Sequence, residues 1–467
     1  MSDPIHLEAD YLIIGAGAVG MAFADTLIAE SDATIIMVDR MAKPGGHWNI
    51  AYPFVTLHQP SAYYGVNSVE LSQGRRDPSG WNQGLGDLAS GTEVLAYFED
   101  VMRHQLLPSG RVQYFAMSDV QGDDAFVNRL TGQRYTVTVR RKTVDATWLK
   151  TSVPANHKPG YTVAEGVRFM PVNGLPTLTE QPEGYVVVGG GKTGIDACLW
   201  LLAQGVDPDH IRWIMPRDAW LLDRQNTQAT DEFFGSTVGG IAAQYEAAAA
   251  ATGIEDLFDR LEAAGVLLRI DTSVRPKMFH GATVSQVELE QLRRISNIVR
   301  MGRVQRIEPS RIVLEHGELP TSSGQVHVDC SASAIGNMSM RPIFEGRRIT
   351  PQTVRAYQPV FSAAFIAHVE ASYQDEAQKN KLCGVVPLPN HDTDWIRMML
   401  AGSLNQYHWS QEPSIGRWLV QSRLDAVTKM LKSIEPHETA KKAIVARLHQ
   451  AAPAAMANLQ RLAKQIA

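Results

Sequence analysis

Short apolar runs alternate along the chain with stretches of helical spacing, and one such arrangement occurs twice. Tyr11-Leu-Ile-Ile14 is apolar and stops at a glycine cluster, after which residues 19–29 carry small side chains at helical spacing. Residues 34–39 form a second β-branched run. Strand, turn, helix and strand therefore fit within the roughly 30 residues of a βαβ unit. The layout returns as a strand over 185–188, a glycine turn over 189–194, a helix over 195–203 and a strand over 211–215.

Between these units, residues 72–91 show no period and are rich in Gly, Ser, Asp and Asn, which predicts a long loop. Arg75, Arg76 and Trp81 lie in it; they read either as a lid over substrate or nicotinamide, or as ordinary solvated loop residues. Residues 92–107 predict an amphipathic helix with Val94, Leu95, Phe98, Val101, Met102 and Leu106 on one face. Alternation at Tyr135-Thr-Val-Thr-Val139 predicts a strand. Further on, 229–264 reads as helix, Ser285-Gln-Val-Glu288 as a capping box, 303–314 and 326–330 as strands, and 418–467 as mostly helix.

Composition narrows the class. With 467 residues, 44% hydrophobic and 20% charged, the chain can form two or three domains with sizeable cores. Its 49 acids against 44 bases give a net charge of -5, and no basic block suggests a nucleic-acid partner. Cys198, Cys330 and Cys383 are too few and too scattered for a disulfide framework, a zinc site or a CxxC dithiol, which fits a reducing cytoplasm. The N-terminus carries Asp3, Glu8 and Asp10 before a short apolar run, unlike a signal peptide. No run reaches the ~18 apolar residues of a membrane span. A soluble cytoplasmic protein without a membrane or nucleic-acid partner is expected, its oligomeric state open.

The glycine turns carry the chemistry. Gly15-Ala-Gly-Ala-Val-Gly20 has the spacing G-x-G-x-x-G: Gly15 for the tight turn, Gly17 for close approach of a pyrophosphate, Gly20 for helix–strand packing. The following helix offers its N-terminal N–H groups and dipole to the phosphates. Asp39 ends the second strand, where an acid holds a ribose hydroxyl.

Gly189-Gly-Gly-Lys-Thr-Gly194 repeats the pattern, with Gly189, Gly191, Thr193 and Gly194 as the binding candidates. Its second strand ends in Pro216-Arg217-Asp218; Arg217 suits the 2′-phosphate of NADPH, NADH staying possible if that side chain simply faces solvent. Lys192 does not complete a P-loop, and the histidines, including His280, His391 and His408, show no ligand spacing, so no metal is expected. Two dinucleotide sites explain one another, since a flavin at one is reduced by hydride from a nicotinamide at the other.

The chain resembles the flavin-containing monooxygenase superfamily over most of its length in outline, through Gly15–Gly20 and through Asp39-Arg40 leading into Gly45-Gly46-His47-Trp48, which is similar to that family's GG-x-W segment along FAD. Val328-Asp-Cys-Ser-Ala-Ser-Ala-Ile-Gly336 resembles its late strand and Ala-x-Gly turn, and Thr143-Val-Asp-Ala-Thr-Trp148 is a comparable strand before the second turn. The resemblance implies an α/β fold of two Rossmann-like dinucleotide-binding domains, the NADP domain inserted into a split FAD domain, with a helical C-terminal region. Boundaries follow at 1–160 (FAD domain, first part), 161–325 (NAD(P)H domain with a helical insertion) and 326–467 (FAD domain, second part, and C-terminal helices).

It also implies FAD-contacting roles for Arg40, Gly46, Trp48 and Gly336, Trp48 either packing on adenine or simply in the core. Alignment from Gly46-His47-Trp48 brings His58, and with it Gln59, near the flavin-facing asparagine of the family, where they would hydrogen-bond flavin N5 or a C4a-peroxide and His58 could donate a proton. A loop histidine satisfied by backbone is the other reading, and His47 reads as a surface or packing residue. The family's F-x-G-x-x-x-H segment is absent: Phe169-Met-Pro-Val-Asn-Gly174 lacks its spacing.

The expected activity is therefore that of an FAD-dependent NAD(P)H oxidoreductase, a monooxygenase acting through flavin C4a-peroxide on a small organic molecule with O2. Two alternatives stay open: a flavin dehydrogenase or reductase without oxygen insertion, and a redox-silent nucleotide sensor.

Overall fold

The structure, a computed structural model, describes residues 3–333 and 339–466; Gly336 lies outside the described residues. Two parallel sheets organise the chain. In the first the order is Val112–Phe115, Ile35–Val38, Ile5–Ile14, Arg134–Asp145, Arg348–Ile349, all parallel. The second runs Ile298–Val299, Ile211–Ile214, Gly184–Val188, Gln325–Asp329, Phe169–Pro171, again all parallel. Each glycine-turn strand is thus central, with its βαβ partner on one side. Ile35–Val38 is buried throughout, as a strand covered on both faces must be.

The first sheet draws on residues 5–145 and again on 344–349, the second on 169–329, so the second unit is inserted into the first. One expectation changes. The run 326–330, matched to a strand closing the first unit, is instead the strand Gln325–Asp329 of the second sheet, pairing with Gly184–Val188 and Phe169–Pro171. A buried β-branched run declares itself a strand but not which sheet it joins. Among the described residues, the chain returns to the first sheet at the small pair Phe344–Glu345 and Arg348–Ile349.

Three other spans differ in detail. The 303–314 run is a hairpin of Val304–Ile307 and Arg311–Leu314, turned at Pro309, which cannot extend a ladder. The 229–264 stretch divides into helices Phe234–Ala250 and Ile254–Ala263, because Gly253 caps the second one. Gly91–Val101 is α-helical as expected but ends in a π turn over Met102–Leu106.

The C-terminal helices bind both units. Pro359–Ser372 is buried from Val360 to Glu370 and packs against Ala18–Glu30 in the first core. Thr439–Ala463 lies along Phe234–Ala250 beside the second unit, with Leu459 and Leu462 buried in their shared cluster. Among the described residues, no helix is long and apolar enough to cross a membrane.

Candidate cofactor and catalytic site

The two glycine turns have the same internal construction. Gly15 and Gly189 adopt φ of +100° and +132°, which only glycine takes without strain. A β-carbon on Gly20 would land on the carbonyl oxygen of Gly15, and one on Gly194 on that of Gly189. Gly17 and Gly191 are the N-caps of Ala18–Glu30 and Lys192–Ala203, with φ, ψ of -78°, -175° and -85°, -175°. Neither helix is capped by a side chain among the described residues, which leaves its first-turn N–H groups to a ligand.

The strand beside each turn is matched as well. Asp145 accepts from the Thr147 N–H and hydroxyl next to Gly15, at 3.1 and 2.7 Å. Asp329 accepts from the Ser331 N–H and hydroxyl next to Gly189, at 3.0 and 2.6 Å. The chain thus contains one nucleotide-turn design twice, down to the acid and hydroxyl that buttress it.

At the first turn, Gly45-Gly46 closes over Ala16 and Gly17. The Gly45 N–H donates to the Ala16 carbonyl at 2.8 Å, and a β-carbon on Gly46 would stand 2.9 Å from Gly17 Cα. Bare backbone faces bare backbone, which is the cradle a pyrophosphate needs. Buried Asp39 accepts from the N–H groups of Ala16 and Met41 at 2.6 and 2.7 Å. Burial raises its pKa, and those two donors oppose the rise. Each oxygen keeps a further lone pair, the feature a ribose hydroxyl requires. Arg40 is exposed. Trp48 is buried in the first core, and its indole N–H donates to the Tyr64 hydroxyl at 2.7 Å; of its two sequence readings, core packing is the one this placement satisfies.

Residues 52–59 carry the first unit against the second turn. Tyr52 donates to Asp196 at 2.6 Å, and Phe54 stacks on Trp200 with ring centroids 4.7 Å apart. Both partners lie on the helix Lys192–Ala203. Burial keeps the Tyr52 phenol protonated, so it is the donor. Lys192, which resembles a P-loop lysine in isolation, is held by Asp196 one helical turn on.

At the end of this loop stand His58 and Gln59, both half-buried. His58 Nδ1 has no partner among the described residues, while its carbonyl accepts from Arg224 Nε at 3.1 Å. Burial, with Lys192 and Arg224 nearby, lowers its pKa to about 3. The imidazole is therefore neutral at pH 7, a hydrogen-bond partner and not a cationic acid, which narrows the role inferred from sequence.

Stability must follow that shift. Between pH 6.5 and about 3 the unfolded chain binds a proton at His58 that the folded chain refuses, so stability falls as pH drops through this window. His58→Asn is expected to recover about 2 kcal/mol at pH 5 relative to its effect at pH 7.5. Denaturant melts at both pH values check this; equal effects at both would contradict it. His47, lowered to about 4 by burial, adds a second increment of the same sign.

At the second turn, Asp218 is held by Arg300 through two bonds of 2.8 and 2.9 Å. Arg217 is left as the cation; it donates to Asn390 at 2.9 Å, and burial and the nearby Arg303 lower its pKa. Its carbonyl would stand 3.0 Å from a β-carbon on Gly190, so this segment abuts the turn. In front of Gly191 there is open space.

The loop 72–91 is not a free lid. Arg75 pairs with Asp87 and Glu93 at 3.5 and 3.6 Å, Arg76 pairs with Glu232, and the Trp81 carbonyl accepts from Ser285 Oγ at 2.6 Å. Asn82 accepts from Arg224 at 3.0 Å. Among the described residues there is no cluster of His, Cys, Asp and Glu that could hold a metal ion.

No protein-family model matches the chain. Uncharacterized proteins of Mycobacterium tuberculosis and Mycobacterium bovis are 51% identical to it over 439 residues, which is 94% of this chain and 81% of theirs. The chain belongs to their family. Because the match spans 94% of the chain, both glycine-turn units and the C-terminal region fall largely within the shared length.

Among solved structures, the chain is similar to a flavin-containing monooxygenase from Stenotrophomonas maltophilia (14% identity, 88% of this chain and 99% of that one, TM-score 0.40). It is also similar to a Rhodococcus cyclohexanone monooxygenase bound to NADP+ (12%, 79% and 84%, TM-score 0.47). A third is a bacillithiol disulfide reductase from Bacillus cereus (14%, 79% and 100%, TM-score 0.47). At these scores the fold assignment rests on the chain's own sheets and turns.

Sequence reasoning missed Tyr52, Asp196, Asn82 and Arg224. Nothing local marks them: each matters through a partner more than a hundred residues away.

Proposed function

We propose that the protein is an FAD-dependent oxidoreductase that oxidises NADPH, and that it is a monooxygenase of a small organic molecule. The observation that carries this reading is the duplicated turn, two helix N-termini of one design without a side-chain cap among the described residues, the second tied to the first unit's loop through Tyr52 and Asp196. Gly15, Gly17, Gly20, Asp39 and Gly46 would hold FAD, and Gly189, Gly191, Thr193, Gly194 and Arg217 would hold NADPH. Bound FAD would supply hydride acceptance from the nicotinamide and electron transfer to oxygen.

The chain's own residues set the conditions. Tyr52, protonated and fixed on Asp196, holds the first unit's loop to the second turn. His58, neutral and with Nδ1 unpartnered among the described residues, offers a hydrogen bond to a group placed between the turns. Gln59 adds a donor and an acceptor beside it. Arg217 would read the 2′-phosphate, so Arg217→Ala is expected to weaken NADPH binding about 10- to 100-fold, the worth of a charge-assisted hydrogen bond, and to leave NADH unchanged. Titration with both nucleotides measures it, and equal losses would contradict it.

Oxygen insertion is tested by turnover with NADPH under isotopically labelled O2. Label in an organic product supports the monooxygenase; recovery of all electrons as hydrogen peroxide across a substrate panel removes it. That second outcome is what a flavin reductase without oxygen insertion gives, a reading favoured by the missing F-x-G-x-x-x-H pattern at 169–174.

A further inference from the structure

Among the described residues Arg224 is the one fully buried arginine, 1% exposed, on the turn Arg224–Thr227 that follows the strand Ala219–Asp223. Its guanidinium joins four segments. Nε donates to the His58 carbonyl at 3.1 Å, Nη1 to Asn82 Oδ1 at 3.0 Å and Nη2 to the Thr283 carbonyl at 3.3 Å, and Nη2 pairs with Glu288 at 2.8 Å. The first two belong to the part of the chain before the second unit, the last two to the second unit itself.

The surrounding bonds repeat the connection. The Glu288 carboxylate also accepts the Ser285 N–H at 2.7 Å, and Ser285 Oγ donates to the Trp81 carbonyl. Gln228 donates to the Arg224 carbonyl at 2.9 Å and accepts the Gly86 N–H at 2.7 Å. Trp81, Asn82 and Gly86 of the long loop and His58 of the candidate site are therefore tied to one buried cation and its immediate neighbours.

A buried ion pair is a poor device for stability alone, since apolar residues of similar volume do as well. What a guanidinium adds is direction: a rigid planar fork that fixes several acceptors at once. We infer that Arg224 is a positioning residue that holds the His58–Gln59 loop and the 72–91 segment in register with the second nucleotide turn. The inference rests on the functional reading above only for the reaction that His58 serves; the lock itself is a property of the protein without nucleotides.

The test uses Arg224→Lys, Asn82→Ala and the charge-neutral pair Arg224→Met with Glu288→Gln, which leaves no buried ion unpaired and so keeps the fold accessible. Hydrogen exchange is followed without added nucleotide, and flavin reduction by NADPH is followed by rapid mixing. Exchange at 55–62 and 76–88 is expected to rise about tenfold or more, with the core strand Gly184–Val188 unchanged. The limiting reduction rate is expected to fall roughly 30- to 100-fold while flavin content and NADPH affinity stay within about twofold, the signature of lost alignment. Unchanged exchange at 55–62, an equal rise at Gly184–Val188, or a wild-type limiting rate overturns the inference. A colourless protein overturns the functional reading alone, and the exchange result then decides the role of Arg224 by itself.

Discussion

Gly20→Ala is expected to yield protein without bound flavin, whereas Gly194→Ala is expected to stay yellow and lose its reduction by NADPH. Both substitutions add one methyl group, and in both the new carbon collides with the carbonyl oxygen of the glycine that begins the turn. That neighbour is backbone, so relief requires the turn or the helix to move, and either displaces the N–H groups that would face a pyrophosphate. A loss of about 100-fold or more in the affinity of the affected site is expected, as for a misplacement near 1 Å.

The pairing of the two variants gives the test its power. A general fold defect would remove flavin from both, and a turn that binds nothing would change neither. Gly239→Ala is the control: it lies in the helix Phe234–Ala250, its β-carbon would meet nothing within 4 Å, and it is expected to stabilise by about 0.5–1 kcal/mol.

Glu370→Ala is expected to be the most destabilising single change outside the turns. Its carboxylate is 5% exposed and accepts from Tyr11 at 2.9 Å, from Lys142 at 3.0 Å and from Lys379 at 2.7 Å. Those partners come from the central strand Ile5–Ile14, from Arg134–Asp145 and from the helix Glu376–Leu382, so one acid joins the first sheet to the C-terminal helices. Truncation leaves Lys379, also 5% exposed, and Lys142, 16% exposed, with no counter-charge there. Breaking such a buried pair costs about 3–5 kcal/mol. For a chain of 467 residues that corresponds to a melting point lower by roughly 3–5 °C. Thermal unfolding followed by circular dichroism measures it, and a shift within about 2 °C would contradict the assignment.

How much of this was legible in the sequence depended on whether the signal was local. Gly15, Gly17, Gly20 and Asp39 are found from spacing because strand, turn and helix are contiguous, and the structure places each where the spacing puts it. The capping box at Ser285 and Glu288 is local for the same reason. Sheet membership is not local: 326–330 has a strand's composition in either sheet, and only pairing with Gly184–Val188 decides. The 72–91 loop reads as a lid or a solvated loop because its anchors, Arg224, Gln228, Glu232 and Ser285, lie about 140 to 200 residues later and nothing in their neighbours' composition points back to it. His58 illustrates the middle case. Alignment brought it near the flavin-facing position of the family, but its closeness to Lys192 and Arg224 and its neutrality follow from burial, which no one-dimensional pattern encodes.

The proposed function requires two nucleotide sites that exchange a hydride. The most direct measurement is the visible spectrum of the purified protein, followed under anaerobic conditions as NADPH is added. A flavin band that bleaches with NADPH, and bleaches far more slowly in Gly194→Ala, is the predicted result. A protein that binds no FAD even when it is supplied, or a bound flavin that no nicotinamide reduces, would contradict it.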